Sequence, residues 1–276
     1  MDSERARLAE QSDAVSKRMR LDSEIDELQK LAKRARNRRR HIRKKIKALG
    51  LSPNDADQLP NAAVQLSNPA FHDMLPFPFV GPATLIRSKC NADSEDNWFY
   101  VGREMFIGLL DRLRYVQKAR DRTALWVYGT KGYGKSHLLA ALVCYLTAQE
   151  ERIVYIPDCR EFAKRPVAYI QTAMLFTWAD DKAIQDEIIT LDTLQKIQDF
   201  FDCHRNAIFF IDQVNGFAEM EGKEIKRWLE SCRAWHKSIL STSANYKSYL
   251  QTAPKQSTDR TIYLYGGFTE VSLSKD

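Results

Sequence analysis

Eight consecutive residues, Gly129-Thr130-Lys131-Gly132-Tyr133-Gly134-Lys135-Ser136, constrain this chain more than any other segment. They fit the pattern G-x-x-x-x-G-K-[ST], follow the apolar run Leu125-Trp126-Val127-Tyr128 and open a helical pattern from Lys135 to Gln149. Strand, glycine-rich turn and helix in that order build a phosphate cradle. The glycines let backbone N–H groups curl around an anion, and the helix N-terminus adds its dipole. Lys135 is the cation for the β- and γ-phosphates, Ser136 is a ligand for Mg²⁺, and Thr130, Lys131, Tyr133 and His137 belong to the same binding set.

A phosphate cradle of this kind needs an acid for the metal at the end of a second strand. Ala207-Ile208-Phe209-Phe210-Ile211-Asp212 supplies it about 80 residues later, so Asp212 is expected to hold Mg²⁺. The next residue is Gln213, where many ATPases of this type have a glutamate. An amide can orient water but cannot take its proton, so slow hydrolysis is expected, with Lys135, Asp212 and Gln213 as the catalytic set. A third run, Ser238 to Ser241, leads into Thr242-Ser243-Ala244-Asn245, where Ser243 and Asn245 are candidate sensors of the γ-phosphate.

Around these motifs, short apolar runs alternate with helical patterns, the signature of βαβ units and a parallel sheet. Strands are expected at Ala124 to Tyr128, Arg152 to Ile156, Ala207 to Ile211, Ser238 to Ser241 and Arg260 to Tyr265. Helices are expected at Lys135 to Gln149, Val167 to Asp180, Thr190 to Cys203 and Glu219 to His236. The fold class is therefore α/β: a parallel-sheet P-loop NTPase, RecA/AAA+-like, in three layers, over residues 97–276.

The first 49 residues differ in texture. They contain no proline or glycine, and positions spaced four and three apart are Leu21, Ile25, Leu28, Ala32, Ala35, Arg39, Ile42, Ile46 and Leu49. That heptad seam predicts a coiled-coil helix over 1–49 and, through it, a homodimer or higher oligomer. Residues 50–96, with prolines at 53, 60, 69, 76 and 78, are expected to be an irregular linker.

The net charge of +6 resides in the same helix. Residues 1–49 carry 16 Lys/Arg against 8 Asp/Glu, leaving 26 against 28 for the remainder, and Lys30 to Lys47 holds 11 Lys/Arg with no acid. Such a run suits a nuclear import signal or contact with nucleic acid through residues 30–47, and it also suits the solvated face of a charged coiled coil. No run of 18 or more apolar residues occurs, and the N-terminus lacks a signal-peptide core, so a soluble intracellular protein with no membrane partner is expected. The five cysteines are scattered, without a C-x-x-C pair, and are expected to be buried thiols.

Upstream of the cradle, Trp98-Phe99-Tyr100-Val101-Gly102-Arg103-Glu104 resembles the F-x-G-R-E segment that opens the nucleotide domain of STAND and AAA+-like ATPases. That resemblance implies that Gly102 and Arg103 lie along the adenine. A closer one is carried by WVYGTKGYGKSHLLAALVCYL, VYIPDCREF, AMLFTWADD, IFFIDQVN and LYGGFTE. Together, over about Trp98 to Glu270, they resemble the P-loop ATPase domain of Crinkler-type effector proteins, especially the fungal branch. The resemblance implies an ATPase module acting in the nucleus of a host cell. The chain departs from that family in having a basic helix in place of the ubiquitin-like header, and in ending soon after GGFTE, as a truncated domain would.

The expected ligand is ATP with Mg²⁺, and no guanine-reading N-K-x-D motif is present. Two other readings stand beside a slow ATPase or switch: a nucleotide-binding module without hydrolysis, and a nucleic-acid-binding protein working through the basic helix. A small-molecule kinase is a weaker alternative, because no acid placed to activate an acceptor hydroxyl is identifiable.

Overall fold

Strand pairing organises the chain into two sheets. In the computed structural model, which describes residues 2–50, 62–81, 97–119, 124–129, 132–218, 223–243 and 260–264, β1 (His72–Pro76) pairs antiparallel with β2 (Asn97–Val101). The larger sheet contains β3 (Ala124–Gly129), β4 (Ile153–Ile156), β5 (Ile208–Ile211), β6 (Lys237–Ser243) and β7 (Thr261–Leu264), all parallel, in the order β4-β5-β6-β3-β7. All five expected strands form, with ends displaced by one or two residues. Every residue of β4 and β5 is buried, as a parallel sheet covered on both faces requires, which is why their sequences are continuous apolar runs. From β3 the chain moves to the far edge at β4 and then returns through β5 and β6. The right-handed crossover rule assigns those connections to opposite faces, an arrangement compatible with three layers.

The helices are α1 (Asp2–Gly50), α2 (Ala62–Ser67), α3 (Met105–Lys118), α4 (Lys135–Ala148), α5 (Cys159–Lys164), α6 (Pro166–Thr177), α7 (Lys182–Ile189), α8 (Leu194–Cys203) and α9 (Lys223–Cys232). Caps fix several starts: the Asp158, Asp181 and Thr193 side chains accept hydrogen bonds from the N–H groups of Arg160, Ile184 and Lys196, satisfying donors that a first turn leaves unpaired. Helix α4 is buried all round from Leu138 to Ala148. Such a helix must have partners on every side, and one of them is α1.

Here the structure departs from the sequence reading. Side chains of α1 are described at Met19 and from Asp22 onward, and α1 packs along α4 and α6 of its own chain. Seam residues Ala32, Ala35, Arg39, Ile42 and Ile46 are 0–5% exposed, and Leu28 and Leu49 pack at the margin of the same core. The stripe that a coiled-coil partner would cover is thus covered from Leu28 onward within the molecule. Arg39, the polar break in the seam, donates to the carbonyls of Thr177 at 3.1 Å, Phe176 at 3.5 Å and Glu151 at 3.3 Å. The first two are the last carbonyls of α6, where helical donors run short; Phe176 O also accepts the Ala179 N–H at 3.4 Å. Burial lowers the Arg39 guanidinium to about 10, with Asp180 opposing the shift.

The proline-rich stretch also differs from the linker expectation over residues 62–81. It contains α2 and β1, and Leu75, Phe77, Phe79 and Val80 are buried in the core. Of the cysteines, Cys144, Cys159 and Cys232 are buried, while Cys203 is exposed at the end of α8. No helix among the described residues is long and apolar enough to cross a membrane.

Candidate functional site

Because the strands are parallel, β3, β5 and β6 all end at one edge of the sheet, with β6 between the other two. Register then sets the height of each residue: Gly129 is level with Ser243, and Ile211 with Leu240. Asp212, one residue past Ile211, therefore stands beside Ser241, two strand spacings or roughly 10 Å across from the end of β3.

The glycine-rich turn needs its glycines for separate reasons. Gly132 has φ 95° and Gly134 φ 71°, left-handed backbone that an L side chain adopts only under strain. A Cβ on Gly134 would also strike the Arg103 guanidinium, and one on Gly129 would press on the Leu264 carbonyl at 3.0 Å. Lys135 opens α4 and its Nζ donates to the Gly129 carbonyl at 2.6 Å. Burial lowers the ammonium, and Asp212 across the edge raises it. Thr130, Lys131 and Asn245 lie outside the described residues, as does the side chain of Ser243.

Gly102 and Arg103 arrive beside this turn from a distant part of the sequence. The Gly102 N–H donates to Phe71 O at 2.8 Å, the Arg103 N–H donates to Leu66 O at 3.1 Å, and a Cβ on Gly102 would collide with the Asn68 carbonyl. So held by α2 and its following turn, Arg103 extends over the glycine-rich turn, its Nη1 3.5 Å from the Tyr133 carbonyl. Burial lowers its guanidinium. His137, in the first turn of α4, meets Trp98 edge-on at 5.3 Å. Its imidazole is pushed down to about 4, first by burial and then by Arg103.

Asp212 is 1% exposed. Its Oδ1 accepts from the Ser241 hydroxyl and from the Gln213 N–H, the latter at 2.8 Å. Its carboxyl is raised by burial, while Ser136, Ser241, the Gln213 N–H and Lys135 pull it down. Oδ2 meets no donor at bonding geometry. An orphaned buried carboxylate oxygen beside a serine hydroxyl and a lysine is a costly arrangement without a cation. Hard oxygen donors of this kind fit Mg²⁺, which takes one or two carboxylates plus phosphate and water oxygens rather than an all-protein cage. Among the described residues no group of three or more His, Cys, Asp or Glu gathers as a metal site, so an all-protein cage is not on offer there.

Gln213 is engaged differently from the sequence expectation of a water-positioning amide. It has φ 56°, and its side chain is turned to the loop after β4: Oε1 accepts from Arg160 Nη2 at 3.3 Å, and Nε2 donates to the Pro157 carbonyl at 3.3 Å. Positioning a water would require those bonds to open. Three residues of this edge were not singled out from sequence: Ser241, Asp158 and Arg160. Ser241 lay inside a predicted strand. Asp158 and Arg160 follow β4 directly, and the signal for them is their place at a strand C-terminus, where α/β proteins gather function. The Cys159 thiol between them donates to the Asp212 carbonyl at 3.1 Å, tying this loop to the end of β5.

A cavity of about 500 Å³ lies at the opposite, N-terminal edge of the sheet, lined by Arg152, Ala207, His236 and Lys237 among others. It contains none of the residues above, and the chemistry-bearing edge carries the better-supported site. No protein-family model matches the chain, and no curated protein matches it.

Proposed function

We propose that the chain binds Mg²⁺-ATP at the edge where β3, β5 and β6 end, and works as a slow ATPase or nucleotide-dependent switch. The observation that carries this reading is Asp212, a buried carboxylate with one orphaned oxygen, set beside Ser136 and Lys135 at the mouth of a glycine turn. Lys135 leaves the Gly129 carbonyl for the β- and γ-phosphates, and Arg103 adds a second cation over the turn. Ser136 and Asp212 would hold Mg²⁺, which would supply charge neutralisation at the terminal phosphates. The likeness to Crinkler-type effector domains, and the nuclear site of action it implies, rest on the motif series alone.

A second reading, nucleotide binding without useful turnover, is favoured by the Gln213 amide being held by Arg160 and Pro157. Calorimetry with Mg²⁺-ATP and with Mg²⁺-GTP, on wild type and Lys135→Ala, tests the shared part. The lysine variant is expected to lose at least a hundredfold in affinity, and unchanged binding would sink the phosphate-cradle assignment. Phosphate release by the wild type then separates slow turnover from none.

A further inference from the structure

The docking of α1 sorts its cations into two groups. Arg39 is buried on the α6 carbonyls, Arg43 pairs with Asp180 at 3.3 Å, and Lys45 pairs with Asp73 at 2.8 Å. Exposed to solvent are Arg34, which lies off to one flank, and the five that share one side, Lys33, Arg36, Arg40, Lys44 and Lys47. Their spacings of three, four, four and three residues place them within an arc of about 80°, centred about 120° round the helix from the buried seam. They form a straight row about 21 Å long at a rise of 1.5 Å per residue. None of the five is bridged to an acid among the described residues; the acids of this helix lie before it, where Asp26 and Glu27 take Lys30.

We infer that this row is a docking surface for the phosphate backbone of a nucleic-acid duplex, bound without base readout. A rigid helix held by the domain presents evenly spaced cations, and a duplex presents evenly spaced phosphates, 3.4 Å apart along each strand axis. The solvent side of the row between residues 33 and 48 also carries Asn37, His41 and Ala48, with no large apolar side chain. An interfacial membrane helix needs an apolar face to insert, and in α1 that face is covered by α4 and α6. Stacking on single-stranded bases needs exposed aromatic rings along the track, and the row has none.

The inference is independent of the P-loop reading, and the test keeps them apart. Anisotropy of a labelled 20-base-pair duplex with the full chain, titrated between 50 and 200 mM salt, is expected to give micromolar binding at low salt. The slope of log K against log salt is expected to be about −4.5, because about 0.9 counterions leave per phosphate neutralised and five cations are available. Changing all five to Gln, which keeps helix propensity and leaves the seam intact, should weaken binding at least a hundredfold and flatten the slope. Single Lys33→Gln and Lys47→Gln variants should each reduce the slope by about 0.9. Lys135→Ala should bind duplex as wild type does. Absence of binding at 50 mM salt, or a slope unchanged in the five-site and single variants, would overturn the proposal. So would displacement of the duplex by polyglutamate, or by vesicles of anionic lipid, as effectively as by unlabelled duplex at equal charge.

Discussion

Asp212 is held at a cost to the nucleotide-free protein. Its carboxylate is buried and one oxygen is unpaired, so Asp212→Asn removes a desolvated charge while keeping an acceptor for Ser241 and the Gln213 N–H. Without nucleotide the variant is expected to melt no lower than wild type, and up to about 1 kcal/mol more stable. Mg²⁺-ATP should then raise the wild-type Tm and leave the variant's unchanged, and a matching rise in both would remove Asp212 from the metal site. Beside it, Gln213 has a backbone geometry that aims its side chain at Arg160. A glutamate there would be drawn to the same guanidinium and would face the Pro157 carbonyl with no donor. Gln213→Glu alone is therefore expected to change the single-turnover rate less than threefold. Combined with Arg160→Ala, it should raise the rate tenfold or more, since general-base catalysis is typically worth on the order of a hundredfold.

At the scale of elements, α1 is part of the α/β core from Leu28 onward. Arg39 closes the C-terminus of α6 across a distance of 137 residues or more in sequence. Arg39→Met keeps the volume but takes a donor from the Phe176 and Thr177 carbonyls, leaving the Ala179 N–H on Phe176 at 3.4 Å and Arg152 on Thr177 at 3.1 Å. A loss of roughly 2–3 kcal/mol is expected by chemical denaturation. Lysine should not rescue it, since one ammonium cannot reproduce the fork of a guanidinium. Truncation tests the same packing. Removing residues 1–27 should leave a folded protein, whereas removing 1–49 uncovers the buried faces of α4 and α6 and should give aggregation. A soluble, cooperatively melting 50–276 fragment would show that α1 is an appendage.

The whole molecule carries two imidazoles that burial holds below their ordinary value. His137 is near 4, and His236 is lowered by burial against the pull of backbone carbonyls. As pH falls below about 6.5 the unfolded chain takes up these protons while the folded one does not, so stability declines from there toward pH 4. Asp212 and Asp158, both raised by burial, act with the opposite sign as pH drops through their folded values. His137→Gln should therefore flatten the pH profile of the unfolding free energy between pH 6.5 and 4.5 by on the order of 1–2 kcal/mol, His137 being only partly enclosed. An unaltered profile would show that His137 is protonated at the usual pH in the folded state.

What the sequence determined by itself is what local chemistry encodes. The glycine turn could be placed because only glycine tolerates the backbone at 132 and 134, and β4 and β5 because burial on both faces leaves continuous apolar runs. Asp212 could be placed because a strand run ending in an acid is a local pattern. The tertiary structure decided what depends on residues far apart in the chain. A heptad stripe specifies an apolar face but not its partner, and α4 and α6 took the place that a second helix could have filled. Arg39 read as a flaw in that stripe until the end of α6 gave it two carbonyls and Glu151 a third. Arg103 reached the glycine-rich turn only through α2 and the turn after it, inside a stretch whose prolines suggested irregular chain. Gln213 stood next to the right aspartate, yet its positive φ and Arg160 turned it to the neighbouring loop. Side-chain direction and partnership follow from packing, which no window of sequence contains.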